Sequence, residues 1–398
     1  MPNHPTRPEI QLLDGSFYAA DPHPHFEWMR DNAPLYWDET WKVWGVTRHA
    51  DIMACSKQPG LFCSGQGSRP DSPPIPSMIN LDDPIHKRRR NLVNSGFTPR
   101  QVNMQEAKIR EICRELVDRA LDLGEFDFVT EVAAPLPMIV IGDMLGVAPE
   151  DRDKLLRWSD DLILGTSGTA MPEAAVNAAK SAGEYVEYAR EVIADRRGRP
   201  PQDDLMSVLV HAEIDGQSLD DDALVQESLL ILVGGDETTR HVISGGMEQL
   251  IRNPDQLQKL VDDASKIPTA VEEMLRWVTP IQNMSRTATR NVELRGETIR
   301  KGDRLLMLYP SGNRDEAVFE APNRFDVERS PNDHVAFGGY GAHFCLGAPL
   351  ARLELRVMFE ELIGRAAGLE FVKDEPLPIR KSNFIAGIER MDVRVGSH

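Results

Sequence analysis

Apolar side chains recur at helical spacing along most of the chain, punctuated by prolines and glycines. The pattern predicts helices over 24–32, 48–57, 99–123, 135–145, 151–164, 172–196 and 267–278. The longest, 220–253, opens on acidic residues, passes through Leu229-Leu230-Ile231-Leu232-Val233 and stops before Pro254. Strand signals are fewer: a hairpin over 35–46 in which Trp37, Trp41 and Trp44 read as packing, short strands at 284–288 and 292–299, and alternation within 369–395. Residues 1–23 read as an irregular leader. The sum is a mainly α protein with a small β region.

Three interruptions change the picture. From 60 to 84 glycine, serine and proline dominate, a length of loop that in a folded domain is functional or disordered. Its apolar residues Ile75, Met78 and Ile79 suit either a ligand pocket or simple anchoring. The 165–172 link reads as a flexible joint that serves as a lid or as an ordinary connection. Inside the longest helix, Gly234-Gly235-Asp236-Glu237-Thr238-Thr239 places two glycines where each costs roughly 1 kcal/mol against alanine. That calls for close approach of another group or an opened hydrogen-bond ladder, with a carboxylate and a hydroxyl placed to relay protons; the alternative is a kinked core helix.

Composition narrows the class. Hydrophobic residues make up 41% of the 398, enough for a large core. Four cysteines, Cys55, Cys63, Cys113 and Cys345, form no disulfide framework, and a reducing cytoplasm is the expected home. With no run of about 20 apolar residues to cross a bilayer, a soluble protein without membrane anchor is expected. A formal charge of −18 argues against non-specific nucleic-acid binding.

Chemistry concentrates at Phe337-Gly-Gly-Tyr-Gly-Ala-His-Phe-Cys-Leu-Gly347. Glycines precede Cys345 and a helix with proline in its first turn follows, so the sulfur sits before a helix N-terminus that favours thiolate. The plain reading is a small buried cysteine in a glycine-rich loop. No Lys-Ser or Lys-Thr follows as in a phosphate loop, and Cys345 with His343 is half a zinc site. A single thiolate suits the axial position of haem iron. In 82–90 a basic helix puts His86 and Arg90 on one face, fit to hold an anionic group or merely to be solvated. Glu273-Met-Leu-Arg276 alone is a weak motif, most often an exposed pair.

The loop from Phe337 to Gly347 resembles the haem-binding loop of the cytochrome P450 family, the haem-thiolate monooxygenases. Phe337 stands eight residues before the cysteine, one more than the commonest spacing, and Gly338 takes the usual Phe position. The resemblance covers nearly the whole chain and implies one cytochrome P450 domain over 1–398 enclosing haem b. It implies Cys345 as iron ligand, with Phe337 and Gly339 beside the cofactor and His86, Arg90, Arg286 and His343 on its propionates. It implies Gly235 beside bound O2, Glu237 as the acid and Thr238 as the alcohol of a proton relay. Glu273, Arg276 and Arg324 would form a buried folding network beneath the haem. Val233, Gly234, Ile281, Met284 and Phe384 would line the substrate pocket with Ile75, Met78 and Ile79.

The run from Leu230 to His241, with Leu136 to Val147, looks most like actinobacterial enzymes that hydroxylate the terminal methyl (C26/C27) of the cholesterol or cholest-4-en-3-one side chain. Related branches oxidise branched fatty acids, terpenoids or macrolides. Electrons are expected from a separate ferredoxin and ferredoxin reductase, docking on Lys87, Arg88, Arg89, Arg100, Arg352 and Arg356. A monomer is expected. A peroxygenase would not need the Glu237–Thr238 pair, and a haem sensor would need an output domain that nothing here resembles.

Overall fold

The longest predicted helix is the spine of the molecule. In the computed structural model, which describes residues 4–165, 172–213, 216–365 and 367–396, it runs unbroken over Asp221–Arg252. Asp220 caps it by accepting from the Ala223 amide at 2.8 Å, and Asp221 and Asp222 face its positive end. Nineteen of its residues are buried, so it is wrapped on all sides rather than amphipathic. Pro135–Met144, Arg152–Gly165, Pro172–Arg197, Ile267–Val278 and Ala348–Arg365 pack against it.

The Gly234–Gly235 pair does not break the helix. A Cβ on Gly235 would lie 2.8 Å from the Ile141 side chain, so this glycine lets Pro135–Met144 pack closely; Gly234 has nothing within 4 Å and leaves open space. Of the two reasons the sequence allowed, close approach holds at Gly235.

The β region sits to one side. Five strands order as Leu35–Asp38, Val43–Val46, Arg304–Leu308, Asn283–Ala288 and Phe62–Cys63. All pairs are antiparallel except Val43–Val46 with Arg304–Leu308. A three-stranded sheet joins Glu125–Asp127, Asp392–Val395 and Leu369–Phe371.

Several boundaries differ from the sequence reading. The 99–123 helix is two, Pro99–Met104 and Glu106–Leu123. Helices Leu205–His211 and Pro254–Asp262 and strand Arg304–Leu308 were not legible, being short or, for Leu-Leu-Met-Leu, a continuous apolar run that fits either element. The leader is not loose: Ile10, Leu12, Leu13, Phe17 and Tyr18 are buried with Phe26 and Leu308, and Asp14 caps a short helix, Gly15–Ala19. Of the proposed lid joint, 165–172, residues 166–171 lie outside the described residues. Among the described residues no helix is long and apolar enough to cross a membrane.

Candidate active site

Between the central helix and the Cys345 loop lies a cavity of about 420 Å³ with a mainly apolar lining. All eight residues expected in the pocket line it: Ile75, Met78 and Ile79 from the long loop, Val233 and Gly234 from the central helix, Ile281 and Met284 before and within strand Asn283–Ala288, and Phe384 from the last turn. Strand Asn283–Ala288 also delivers Arg286, and helix Ile85–Asn94 delivers His86 and Arg90, four residues apart as one helical face requires.

Cys345 lies on the opposing loop. It is half-buried and faces the cavity, whereas Cys55, Cys63 and Cys113 are buried elsewhere, and burial pushes the Cys55 thiol up to about 12. The Cys345 amide donates to the Phe337 carbonyl at 3.0 Å, closing the loop on itself. Burial raises the thiol pKa, while the Gly347 and Ala348 amides at the start of Ala348–Arg365, with Arg90 and Arg352, pull it down. The helix start therefore acts as expected but is outweighed by desolvation. A Cβ on Gly341 would sit 1.9 Å from the Ser56 carbonyl, so that glycine is fixed by packing. Gly339 likewise turns toward Ser56 and does not line the cavity; Phe337 and Gly338 do.

Two of the cationic side chains around this cavity lack counter-charges, whereas Arg69 pairs with Asp71 at 3.6 Å and His86 Nδ1 meets Asp83 at 3.3 Å. Neither Arg90 nor Arg286 makes an ion pair among the described residues. Arg90 donates to the Phe344 carbonyl, and Arg286 to the Ser285 carbonyl at 2.8 Å. The His86 and His343 rings pack with centroids 4.1 Å apart and planes inclined at 31°, and the buried His86 Nε2 has no partner among the described residues. Burial, Arg286, His86 and Arg90 hold His343 down at about 2, so it is neutral here. Cations withdrawn from water without a counter-ion are costly, and two carboxylates arriving with a cofactor would neutralise half-buried Arg90 and buried Arg286. No cluster of three His, Cys, Asp or Glu side chains fit for a bare metal ion occurs among the described residues. One thiol, an apolar slot and unpaired cations suit a metal carried in by an anionic prosthetic group.

The relay residues divide. Thr238 lines the cavity, its Oγ1 donating to the Gly234 carbonyl at 3.0 Å. Glu237 does not line it. Its carboxylate is wholly buried behind the helix, with Arg380 at 2.7 Å and Arg240 at 2.9 Å, and both arginines reach Asp160, whose side chain is 36% exposed. Burial raises the Glu237 pKa against the pull of Arg240 and Arg380. Neighbouring Asp236 is buried with both oxygens unpartnered, and burial raises it too.

The Glu-x-x-Arg network is fully buried. Arg276 grips Glu273 through two bonds of 2.7 Å, and its guanidinium also donates to the carbonyls of Asn313 and Pro322. The third arginine is Arg329, 3.0 Å from Glu273; Arg324 is exposed and contributes only its backbone carbonyl. Of the expected docking residues, Arg89 turns inward to Glu227, Arg352 pairs with Glu272, and Arg356 with Glu106 and Glu360. Lys87, Arg88 and Arg100 stay exposed.

Sequence reasoning missed the lining residues Arg69, Ile141, Leu162 and Glu354, and Arg380 in the Glu237 network. Nothing local marks Arg69 or Arg380. Glu354 is, with Glu361, one of two charged positions among the buried residues of Ala348–Arg365, a signal open to notice.

The sequence matches the Cytochrome P450 family model over residues 69–383. It is 49% identical to the Steroid C26-monooxygenase of Mycobacterium tuberculosis over 97% of both chains. A Mycobacterium marinum cytochrome P450 solved with pseudoionone superposes with a TM-score of 0.90 at 35% identity, covering 99% of this chain and 100% of the other. A Bacillus megaterium relative solved with testosterone gives 0.86 at 34% identity, covering 95% and 100%. Haem is the cofactor of such enzymes, and the thiol and unpaired cations described above fit it. The chain belongs to the cytochrome P450 family and is a monooxygenase.

Proposed function

We propose that the enzyme hydroxylates the terminal methyl (C26/C27) of a steroid side chain, with cholesterol or cholest-4-en-3-one as substrate. The observation that carries the reading is the cavity itself: mainly apolar walls that take a long hydrocarbon, with the Cys345 thiol and the Thr238 hydroxyl in its lining. The near-full-length identity to a protein named Steroid C26-monooxygenase supports the choice of substrate.

Haem, when bound, supplies activation of O2 and the oxidising power to cleave an unactivated C–H bond. The chain supplies the rest. Cys345 would supply the sulfur that holds the iron, and the Gly347 and Ala348 amides with Arg90 favour its thiolate. Arg90, Arg286, His86 and His343 would hold the two carboxylates of the cofactor. The apolar lining excludes water and presents the substrate methyl end-on. Thr238 Oγ1 holds a proton inside the cavity, released from the Gly234 carbonyl by rotation about χ1. Glu237 is the buried acid behind it; its Oε1 has no partner and is the atom free to take a proton. Arg240 and Arg380 connect that acid to Asp160 at the surface. Electrons arrive from a separate redox partner, which we assign as an acidic ferredoxin docking on Lys87, Arg88 and Arg100.

An optical titration tests the reading. The reduced carbon-monoxide complex of the haem-loaded protein shows a red-shifted thiolate band, and cholest-4-en-3-one drives a low-spin to high-spin change at low concentration. If a branched fatty acid, terpenoid or macrolide does so and the steroid does not, the steroid assignment falls.

A further inference from the structure

The cavity wall formed by the long loop is held from behind by a carboxylate with no part in the chemistry above. Glu227 lies two turns before Gly234 on the central helix and is wholly buried. Its Oε1 accepts from the Met78 amide at 2.8 Å and from Arg89 Nη1 at 3.2 Å. The same Arg89 nitrogen donates to the Pro76 carbonyl at 2.7 Å, so one carboxylate and one arginine grip the backbone at 76 and 78. The flanking loop is fixed separately, by Asp82 accepting from the Ser64 amide and Asn80 from the Ser68 amide. Glu227 catches its middle, where Ile75, Met78 and Ile79 line the cavity.

We infer that Glu227, with Arg89, is a positioning residue that clasps this wall to the central helix and thereby sets how tightly the apolar substrate is held; the consequence for substrate rests on the steroid reading above. A backbone clasp holds the wall without adding a polar side chain to its mainly apolar lining, since neither Glu227 nor Arg89 lines the cavity. Glu227 Oε2 is buried without a partner, so the group is strained as an anion. Arg89, itself 20% exposed, is the one charged group facing it among the described residues; every other contact acting on it is the Met78 amide.

This gives the clasp a direction in pH. Burial pushes Glu227 up to about 7 despite Arg89, whereas opening the wall returns it to water and to the ordinary value of 4.5. The closed wall binds the proton more tightly than the open one. Closure is therefore favoured fully below the ordinary value and weakens as pH rises through about 7.

The test uses haem-loaded protein at about pH 6 and about pH 8, reading protection of the Met78 amide from hydrogen exchange and the spin-shift Kd for cholest-4-en-3-one. In the unmodified enzyme, protection falls and Kd rises on the order of tenfold between the two. Glu227→Gln keeps the acceptor for the Met78 amide and has no proton to lose, so both readouts stay at their low-pH level. Glu227→Ala removes the acceptor and loosens both at either pH. A Glu227→Gln enzyme that keeps the pH dependence, or a Glu227→Ala enzyme that keeps Met78 protected, overturns the clasp. If protection follows this pattern while no variant responds to the steroid, the clasp stands and the steroid reading fails.

Discussion

The molecule holds two clusters of buried charge built from the same residue types, and they end differently. Around Glu273 no polar side-chain atom of Glu273, Arg276 or Arg329 is left without a partner. Around the cavity, Arg90 and Arg286 pair with no carboxylate among the described residues, and His86, whose Nδ1 meets Asp83 at 3.3 Å, has no described partner at Nε2. The closed cluster spends its charge on joining Ile267–Val278 to the 313–329 segment, a folding role. The open one, we propose, keeps its charge for the carboxylates of the cofactor. Satisfaction, not burial, separates structure from function here.

The largest effect expected is at the thiol that completes the open cluster. Cys345→Ser removes the sulfur and should abolish the thiolate-type carbon-monoxide band altogether, with haem content measured alongside. Retention of that band would displace Cys345 from the axial position.

Next comes the closed cluster. Glu273→Ala leaves Arg276 and Arg329 buried without their anion and should cost about 3–5 kcal/mol of stability, read by urea denaturation of haem-loaded protein. The open cluster should respond in the opposite sense. Arg286→Ala removes an unpaired cation, so the haem-free chain should lose no stability, while haem dissociation quickens on the order of tenfold, as one lost charge-assisted bond implies. Equal destabilisation of both clusters without haem would erase the distinction.

Thr238→Ala sharpens the division within the relay. Haem retention and steroid binding should persist while reducing equivalents divert to peroxide, measured as product formed per electron pair consumed. Unchanged coupling would remove Thr238 from proton delivery.

How much of this was legible depends on range. Helices announced themselves by period, and Cys345, His86 and Arg90 by local motif, because their neighbours in sequence fix their geometry. The position of Glu237 was not legible from helical spacing: Val233 and Gly234, four and three residues before it, line the cavity, and only its pairing with Arg240 and Arg380 turns it away. The Arg380 partner of Glu237 lies 143 residues away and the strand Arg304–Leu308 pairs with Val43–Val46 across the chain. Such partners are set by tertiary packing, which no window of sequence contains. Arg89 fell to the same blindness: within a run of basic residues it resembles its exposed neighbours, and only the approach of Glu227 from the central helix turns it inward.

The smallest effect expected is also the sharpest test of the closed cluster. Pro322-Asn323-Arg324-Phe325 looks like the segment that supplies the third member, yet the Arg324 side chain is exposed and the Glu273 contact belongs to Arg329, five residues on. Arg324 acts through its carbonyl, which accepts from Arg276 at 3.3 Å and from Arg329 at 2.9 Å. A side-chain change leaves that carbonyl in place. Arg324→Ala should therefore shift stability by no more than about 0.5 kcal/mol, as for an ordinary surface position. Arg329→Ala should cost about 3 kcal/mol or more, because it strips one of two cations from a buried carboxylate. Reversal of that order would return the third place to Arg324 and make the Arg329 contact incidental.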